Sequence, residues 1–264
     1  MIPLLFALFG TAQAADTWIY RNPTYILAND IAPLTTSLNS VGASVTTSTS
    51  STWPTNWSGY KLVIILLPGN SFNSGATAAL KSFVDGGGRL VVAGDWSPYT
   101  NTENGYANSL FSSLGTGMSL GNNTVAGSGC ASTTSVQSDQ ITDGVGRIYI
   151  AASNVVNGGS SLVKYSGNTV AAVAQTSTAT SARPAFDTVL VGDVNFFLDD
   201  CSGSTTSGNN TTLWQNLYDF CQDTDGDGYT DDACGGDDCD DNDATTYPGA
   251  AETPYDGVDD DCDG

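Results

Sequence analysis

Short apolar runs alternate with amphipathic helical patterns from residue 16 to about residue 221. The clearest unit begins with the continuous apolar run Leu62–Leu67, which predicts a strand that is buried on both faces. Apolar residues then recur at helical spacing until three glycines, 86–88, end the helix, and a new apolar run begins at Leu90. This order of strand, helix and strand predicts an α/β layer fold with a largely parallel sheet.

The second half of this region has a different pattern. Residues 116–185 are rich in Ser, Thr, Asn and Gly and contain short strand candidates, which predicts a β-rich insertion or a sheet edge. The segment 188–200 predicts one more buried strand, and 209–220 predicts a closing helix. We therefore expect one α/β domain over residues 15–221, followed by a different kind of segment over 222–264.

Charge separates these two parts of the chain. Of the 28 acidic residues, 16 lie between Asp223 and Gly264, where there is no Lys or Arg, whereas residues 1–222 carry 12 acids against 7 bases. An acidic segment of this kind repels nucleic acid and anionic membrane surfaces, and it attracts cations. We expect its charged partner to be a metal ion or a basic surface, and we expect no nucleic-acid partner.

The first 14 residues, "MIPLLFALFGTAQA", combine an apolar run with the small-x-small pattern of a signal-peptidase site. They predict a signal peptide that is cleaved after Ala14, and a mature protein that is secreted or held at the cell surface. The basic residues that usually precede the apolar run are missing, which leaves open a miscalled or truncated start, or a buried strand or helix. No other apolar run approaches the length of a membrane span.

Six cysteines in an exported chain favour disulfides over thiol chemistry. The chain has no histidine and its cysteines lack paired CxxC spacing, which disfavours a zinc site. The sequence does not decide the pairing, but we expect Cys130 to bond Cys201 in the large domain. We expect the other four cysteines to pair with one another within or beside the acidic segment.

The stretch "DTDGDGYTDD", residues 223–232, places carboxylates at every second position with glycines between them. Oxygen ligands with this spacing can surround one hard cation, and glycine allows the sharp turn that this requires. Cys234 occupies the position of the bidentate Glu of an EF-hand and no helical pattern flanks the loop, so an EF-hand is excluded. Oxygen ligands without His or paired thiolates favour Ca²⁺. The candidate ligands are the side chains of Asp223, Asp225, Asp227 and Asp231 and the backbone carbonyl of Tyr229.

This loop resembles those of thrombospondin type 3 repeats, which share the spacing D-x-D-x-D-G-x-x-D, and the resemblance implies the same calcium ligands. The residues that follow resemble the metal-binding motif named after the MopE protein, found in secreted and surface proteins of bacteria. Tyr255 stands where that family often has Cys, which puts its disulfide pattern in doubt. The matching pieces are Asp238-Cys239-Asp240-Asp241, Pro248-Gly249-Ala250, Glu252, Asp256-Gly257 and Asp261-Cys262-Asp263-Gly264.

Two further groups of candidate ligands lie in this region. In the middle stretch, around Asp238–Asp243, it is ambiguous which residues take which ligand positions. Near the end, Asp259, Asp261 and Asp263 occupy the first, third and fifth positions of another loop, and Gly264 follows them. The sequence stops inside that motif, so we expect it to be a fragment. The alternative to a metal site is a solvated, disordered acidic tail. The further candidates are Asp238, Asp240, Asp243 and Glu252 in the middle, and Asp259, Asp261 and Asp263 at the end.

The order "LVIILLPG", helix, "GGGRLVVAGD" resembles the class I glutamine-amidotransferase-like fold, including its ThuA-like members. The resemblance implies a three-layer domain of the flavodoxin or Rossmann type. In catalytic members a nucleophilic Cys follows the strand that corresponds to Leu90–Ala93, and a His follows a later strand. Here Asp95 and Trp96 occupy that turn and the chain has no His, so the resemblance implies a non-catalytic relative.

Asp95 and Asp193 each follow a predicted buried strand, at the edge of the sheet where α/β proteins bind ligands. The pair could serve an extracellular hydrolase that acts on carbohydrate, with Trp96 and Tyr99 as a platform for sugar, or each could cap a turn. We expect that each of the two residues caps a turn. The sequence thus predicts a secreted or surface calcium-binding protein without catalytic residues, which has a structural, adhesive or ligand-binding role toward polysaccharide or protein.

Overall fold

The structure is a computed structural model, and it describes most of the α/β domain and parts of the acidic segment. The predicted signal peptide and the predicted ligands Asp223 and Asp231 lie outside the described residues. The described residues are 15–50, 52–127, 129–176, 188–198, 210–219, 225, 227, 229, 238–240, 242–253 and 257–264.

The described part of the chain forms strands and helices in alternation up to Asp219. The helices are α1 (Ala32–Ser40), α2 (Ser74–Asp85), α3 (Asn101–Leu114) and α4 (Asn210–Asp219). The strands are β1 (Thr17–Arg21), β2 (Val45–Ser48), β3 (Leu62–Leu66), β4 (Arg89–Ala93), β5 (Ser119–Val125), β6 (Ala131–Thr133), β7 (Ile148–Ile150), β8 (Ser153–Asn157), β9 (Ser160–Tyr165), β10 (Asn168–Ala174) and β11 (Thr188–Val191).

A seven-stranded sheet in the order β2-β1-β3-β4-β11-β10-β9 forms the centre of the domain. The five strands from β2 to β11 are parallel, whereas β10 and β9 are antiparallel to their neighbours. The remaining strands form two small pairs, β5 with β8 and β6 with β7. The Ser-, Thr- and Gly-rich region therefore supplies both an antiparallel sheet edge and a β-rich insertion.

Alternating residues of the central strands contribute to two hydrophobic cores, one on each face of the sheet. Ile19 and Ile64 point to the core that contains residues of α1 and α4, while Trp18 and Val63 point to the core that contains residues of α2 and α3. Because both faces are covered, β3 and β4 are buried along their whole length. These layers confirm the predicted three-layer α/β fold of the flavodoxin or Rossmann type.

The prediction of one buried strand over 188–200 is wrong in its extent. Strand β11 ends at Val191, and a short 3₁₀ helix covers Val194–Phe196. The chain turns there because Gly192 lies against the backbone of Asn154. The N–H of Asn154 donates to the carbonyl oxygen of Gly192 at 2.9 Å. Asp193 then caps the short helix, since its side chain accepts a hydrogen bond from the N–H of Asn195.

Two helix ends in the domain show ordinary capping chemistry. Asn73 caps α2 by accepting a hydrogen bond from the N–H of Ala76 at 2.9 Å, and Gly115 ends α3 in the left-handed conformation with φ of 73°.

None of the helices in the described residues is both long enough and apolar enough to cross a membrane.

Candidate metal centre

Three carboxylates from two parts of the acidic segment meet in one cluster. Carboxylate oxygens of Asp225, Asp227 and Asp238 all lie within 4.8 Å of one another. Asp238 is fully buried, and the other two side chains are half-buried. The spacing of carboxylates at every second position (the spacing rule) placed Asp225 and Asp227 in one loop, but it assigned Asp238 to a separate middle stretch. The structure joins the two stretches in a single cluster.

Local hydrogen bonds turn the chain so that alternate carboxylates face the same side. Asp225 Oδ1 accepts the N–H of Asp227 at 3.2 Å, and Asp227 Oδ1 accepts the N–H of Tyr229 at 2.8 Å. Asp238 Oδ1 accepts the N–H of Asp240 at 2.9 Å in the same way. Each contact is an Asx turn, in which one carboxylate oxygen binds the backbone two residues ahead. The Oδ2 atoms of all three residues are buried.

A second cluster lies near the end of the chain and contains Glu252, Asp259 and Asp261. One carboxylate oxygen from each lies within 4.8 Å of the others. Glu252 Oε1 accepts the N–H of Asp261 at 3.1 Å, which holds two of the members together. Asp261 Oδ1 is buried and accepts no hydrogen bond from the residues that the structure describes. A buried carboxylate oxygen of this kind fits a cation ligand.

A disulfide between Cys239 and Cys262 ties the two clusters to each other. Its Cα atoms are 5.6 Å apart, and it joins the residue after Asp238 to the residue after Asp261. This bond agrees with the expectation that cysteines pair within the acidic segment. Cys130 is disulfide-bonded too, and its expected partner Cys201 lies outside the described residues.

Asp260 has a supporting role that the spacing rule did not reveal. Its buried carboxylate accepts the N–H of Thr253 at 2.8 Å, and its backbone carbonyl accepts the N–H of Tyr247 at 2.9 Å. These contacts fold the stretch before Glu252 back onto the end of the chain. The only signal in the sequence is that Asp260 belongs to a run of three aspartates.

Other predicted ligands lie in neither cluster. Asp243 accepts hydrogen bonds from the hydroxyl and the N–H of Thr245, and the hydroxyl contact lowers the pKa of Asp243. Asp240 Oδ1 accepts the N–H of Asn242 at 3.4 Å, and Asp263 joins neither group in the described part of the chain. The ring of Tyr229, whose carbonyl was the predicted ligand, stacks on Tyr247 with 5.4 Å between ring centroids.

The two candidate carboxylates of the α/β domain, Asp95 and Asp193, accept hydrogen bonds from backbone N–H groups. Asp193 is completely buried, and its two oxygens accept the N–H groups of Ala151 at 2.6 Å and Asn195 at 2.8 Å. Asp95 Oδ1 accepts the N–H of Trp96 at 2.7 Å. These contacts match the interpretation of both residues as caps of turns.

Comparison with known proteins separates the same two parts of the chain. Residues 238–264 match the family model Cu-binding_MopE, which is described as a "Putative metal-binding motif". The match contains Asp238 and the whole second cluster. No curated protein sequence matches the chain significantly.

Solved structures resemble the α/β domain. The "mmIFT52 N-terminal domain" has 13% sequence identity and a TM-score of 0.58, over 77% of this chain and 96% of that chain. A glutamine amidotransferase from Thermotoga maritima has 8% identity and a TM-score of 0.50, over 78% and 96%. A "Putative thua-like protein" from Bacteroides uniformis has 12% identity and a TM-score of 0.42, over 81% and 93%. At these identities the likeness shows the fold alone, an α/β fold that the domain shares with the mmIFT52 domain and with a glutamine amidotransferase.

Proposed function

We propose that this is a secreted or cell-surface bacterial protein without enzymatic activity, whose acidic segment binds calcium and whose α/β domain has a structural, adhesive or ligand-binding role. The convergence of Asp225, Asp227 and Asp238 carries the calcium assignment. Carboxylates this close repel one another, so their ionised forms coexist at low cost only with a cation between them. The second cluster repeats the arrangement with Glu252, Asp259 and Asp261.

The chemistry of the donors favours calcium over copper, although the name of the matching family model points to copper. Copper prefers imidazole and sulfur ligands, and this chain has no histidine. Cys239 and Cys262 are bonded to each other and provide no thiolate. Carboxylate and carbonyl oxygens are the ligands of hard cations, and calcium accepts the irregular geometry of a loop more readily than magnesium does.

Two observations support export and the absence of catalysis. Disulfides such as Cys239–Cys262 persist in oxidising compartments, which agrees with the leader predicted over 1–14. A hydrolase that used Asp95 and Asp193 would need both carboxylates to reach a substrate, but Asp193 is fully buried and bound to backbone N–H groups. The described geometry therefore favours a non-enzymatic role over the carbohydrate hydrolase.

The calcium assignment is tested by titrating Ca²⁺, Mg²⁺ and Cu²⁺ separately into the EDTA-treated full chain, with limited proteolysis and circular dichroism as readouts. We expect calcium to protect the acidic segment from proteolysis in a saturable way, with a Kd of about 10⁻⁴ to 10⁻³ M, as in other extracellular modules. If EDTA leaves digestion unchanged, or if copper protects at lower concentrations than calcium does, the assignment is wrong.

A matched pair of variants tests the location of the site. Asp227→Asn removes a carboxylate from the first cluster, and we expect it to raise the Kd for calcium by at least about tenfold because the site loses a charged ligand. Asp243→Asn makes the same change of charge outside both clusters, and we expect less than about a twofold change. Equal losses in the two variants would show that the segment attracts calcium only by its overall charge.

A further inference from the structure

A cleft of about 260 Å³ lies in the α/β domain, and no member of either acidic cluster lines it. The loops after β1, β4 and β11 meet there, together with the residues just before β8. Ligands of α/β proteins bind at this edge, beyond the carboxyl ends of parallel strands. The residues that matter for its chemistry are Tyr25, Asp95, Trp96, Tyr99 and Asn195.

The wall formed by the loop after β4 is held rigidly at Asp95. The backbone carbonyl of Asp95 accepts hydrogen bonds from Thr100 Oγ1 at 2.8 Å, from Asn104 Nδ2 at 2.7 Å and from Asn154 Nδ2. The backbone N–H of Asp95 donates to Asn104 Oδ1 at 3.1 Å. A turn fixed by this many contacts keeps its shape before a ligand arrives, which lowers the ordering cost of binding.

A second part of the lining, in the loop after β1, is fixed as well. Arg21 Nη1 donates to the carbonyl of Ile26 at 2.6 Å, and the N–H of Ile26 donates to the carbonyl of Asn22 at 2.9 Å. The hydroxyl of Tyr25 donates to Glu103 Oε1 at 3.4 Å. Partial burial, aided by the negative charge of Glu103, raises the pKa of the Tyr25 hydroxyl.

Aromatic side chains line the cleft and remain in contact with water. Tyr99 is 69% exposed and Tyr25 is 45% exposed, while Trp96 is half-buried. The rings of Trp96 and Tyr99 lie 4.8 Å apart at an angle of 59°. Exposed aromatic groups beside a preformed cleft mark a binding site, because their flat faces gain free energy when a ligand displaces water from them.

Charge and size narrow the class of ligand. Asp95, a carboxylate, is the only residue with a formal charge that lines the cleft in the described part of the chain, which favours a ligand without negative charge. The volume lies below the ~300–1,000 Å³ of sites for drug-sized ligands, which suits one small ring. A neutral sugar ring combines an apolar C–H face, which can stack on aromatic rings, with hydroxyl donors, which Asp95 and Asn195 can accept.

We propose that this cleft binds the terminal ring of a neutral oligosaccharide. Trp96 and Tyr99 contact the apolar face of the ring, and Asp95 accepts hydrogen bonds from its hydroxyl groups. The site deepens the proposed ligand-binding role of the α/β domain, but it does not depend on calcium. Asp193, the second carboxylate of the alternative hydrolase, is buried and does not line the cleft, which supports binding of the sugar without cleavage.

The probes are cellohexaose, mannohexaose and laminarihexaose, each titrated into the full chain while tryptophan fluorescence and heat of binding are recorded. We expect at least one of the three to bind saturably, with a change in fluorescence from Trp96. Hexagalacturonate, which carries carboxylates, should bind at least about tenfold more weakly than that sugar because of Asp95. Binding of none of the neutral sugars, or equal binding of the acidic one, would overturn the proposal.

Two tyrosine variants test whether the sugar binds in this cleft. Tyr99→Ala should weaken binding of the sugar by about tenfold, because one aromatic face is lost. Tyr106→Ala is the matched control, since Tyr106 is a half-buried tyrosine of α3 that does not line the cleft, and we expect it to retain binding. Equal effects of the two variants would rule out this cleft.

The two proposals can fail separately. Addition of EDTA, or the variant Asp227→Asn, should leave sugar binding within about twofold of the original value, because the carboxylate clusters form no part of the cleft. Loss of sugar binding under either condition would assign the sugar to the calcium segment and overturn the cleft site. Shortened oligosaccharides after prolonged incubation would contradict the non-enzymatic role, while leaving the binding site in place.

Discussion

The α/β domain and the acidic segment are stabilised by opposite kinds of chemistry. In the domain, strands such as β3 and β4 are completely buried between two hydrophobic cores, and burial of apolar surface is the main stabilising term. The described residues of the acidic segment contain no comparable core, and their largest exposed apolar side chains are Tyr229 and Val258. Carboxylates, Asx turns and a disulfide provide the order there, so ions and redox state should affect the segment far more than the domain.

The largest expected change in stability comes from a substitution in the hydrophobic core of the α/β domain. Phe111 of α3 is fully buried, and Phe111→Ala should lower the free energy of unfolding by about 3–5 kcal/mol through lost burial and the cavity it leaves. Urea unfolding followed by circular dichroism measures this change. Leu27→Ala is the control, because Leu27 is 66% exposed and its truncation should cost less than about 0.5 kcal/mol.

Calcium binding by the Phe111→Ala variant sharpens the same comparison. Under conditions where this variant remains folded, we expect its Kd for calcium to equal that of the original chain. A large loss of calcium affinity would show that the acidic segment depends on the packing of the domain, and the contrast between the two regions would no longer hold.

The next effect concerns the disulfide of the acidic segment. Replacing both Cys239 and Cys262 with Ser removes a cross-link over a sequence separation of 23, which the chain-entropy relation values at about 3 kcal/mol. We expect calcium affinity to fall by at least about tenfold, because the bond holds the two carboxylate clusters together in the unbound state. The urea midpoint of the α/β domain should not change. A variant that binds calcium normally would show that the metal alone organises the segment.

The smallest effect comes from a pair of glycines in the domain. A Cβ atom at Gly192 would lie 2.0 Å from the carbonyl oxygen of Asn154, so Gly192→Ala must move the backbone and should cost about 1–3 kcal/mol. A Cβ atom at Gly105, inside α3, meets no atom within 4 Å. Gly105→Ala should therefore stabilise the domain by about 0.5–1 kcal/mol. Thermal unfolding of both variants tests this contrast between the two glycines. Shifts of the unfolding temperature in the same direction for both variants would contradict it.

The domain was predictable wherever the pattern was local. Ala76, Leu80, Phe83 and Val84 recur at helical spacing, and all four are buried on α2. The end of β11 was not predictable in this way. It depends on the close approach of Gly192 to Asn154, which is distant in sequence.

The metal centre shows the same division between local and distant information. The alternation of aspartates correctly predicted that Asp225 and Asp227 lie close together, because each pair within a loop is set by the local turn. That Asp238 joins them, and that Glu252 meets Asp259 and Asp261, depends on how separate stretches fold onto each other. Spacing alone could not reveal those contacts.

The bond between Cys239 and Cys262 also changes how damage to the acidic segment would appear. A protease that cut the chain once between these two residues would leave the fragments covalently joined, because the disulfide encloses that stretch. The cut would become visible as separate pieces only after a reducing agent had been added. Under oxidising conditions, a nicked molecule would therefore keep both carboxylate clusters attached to one another.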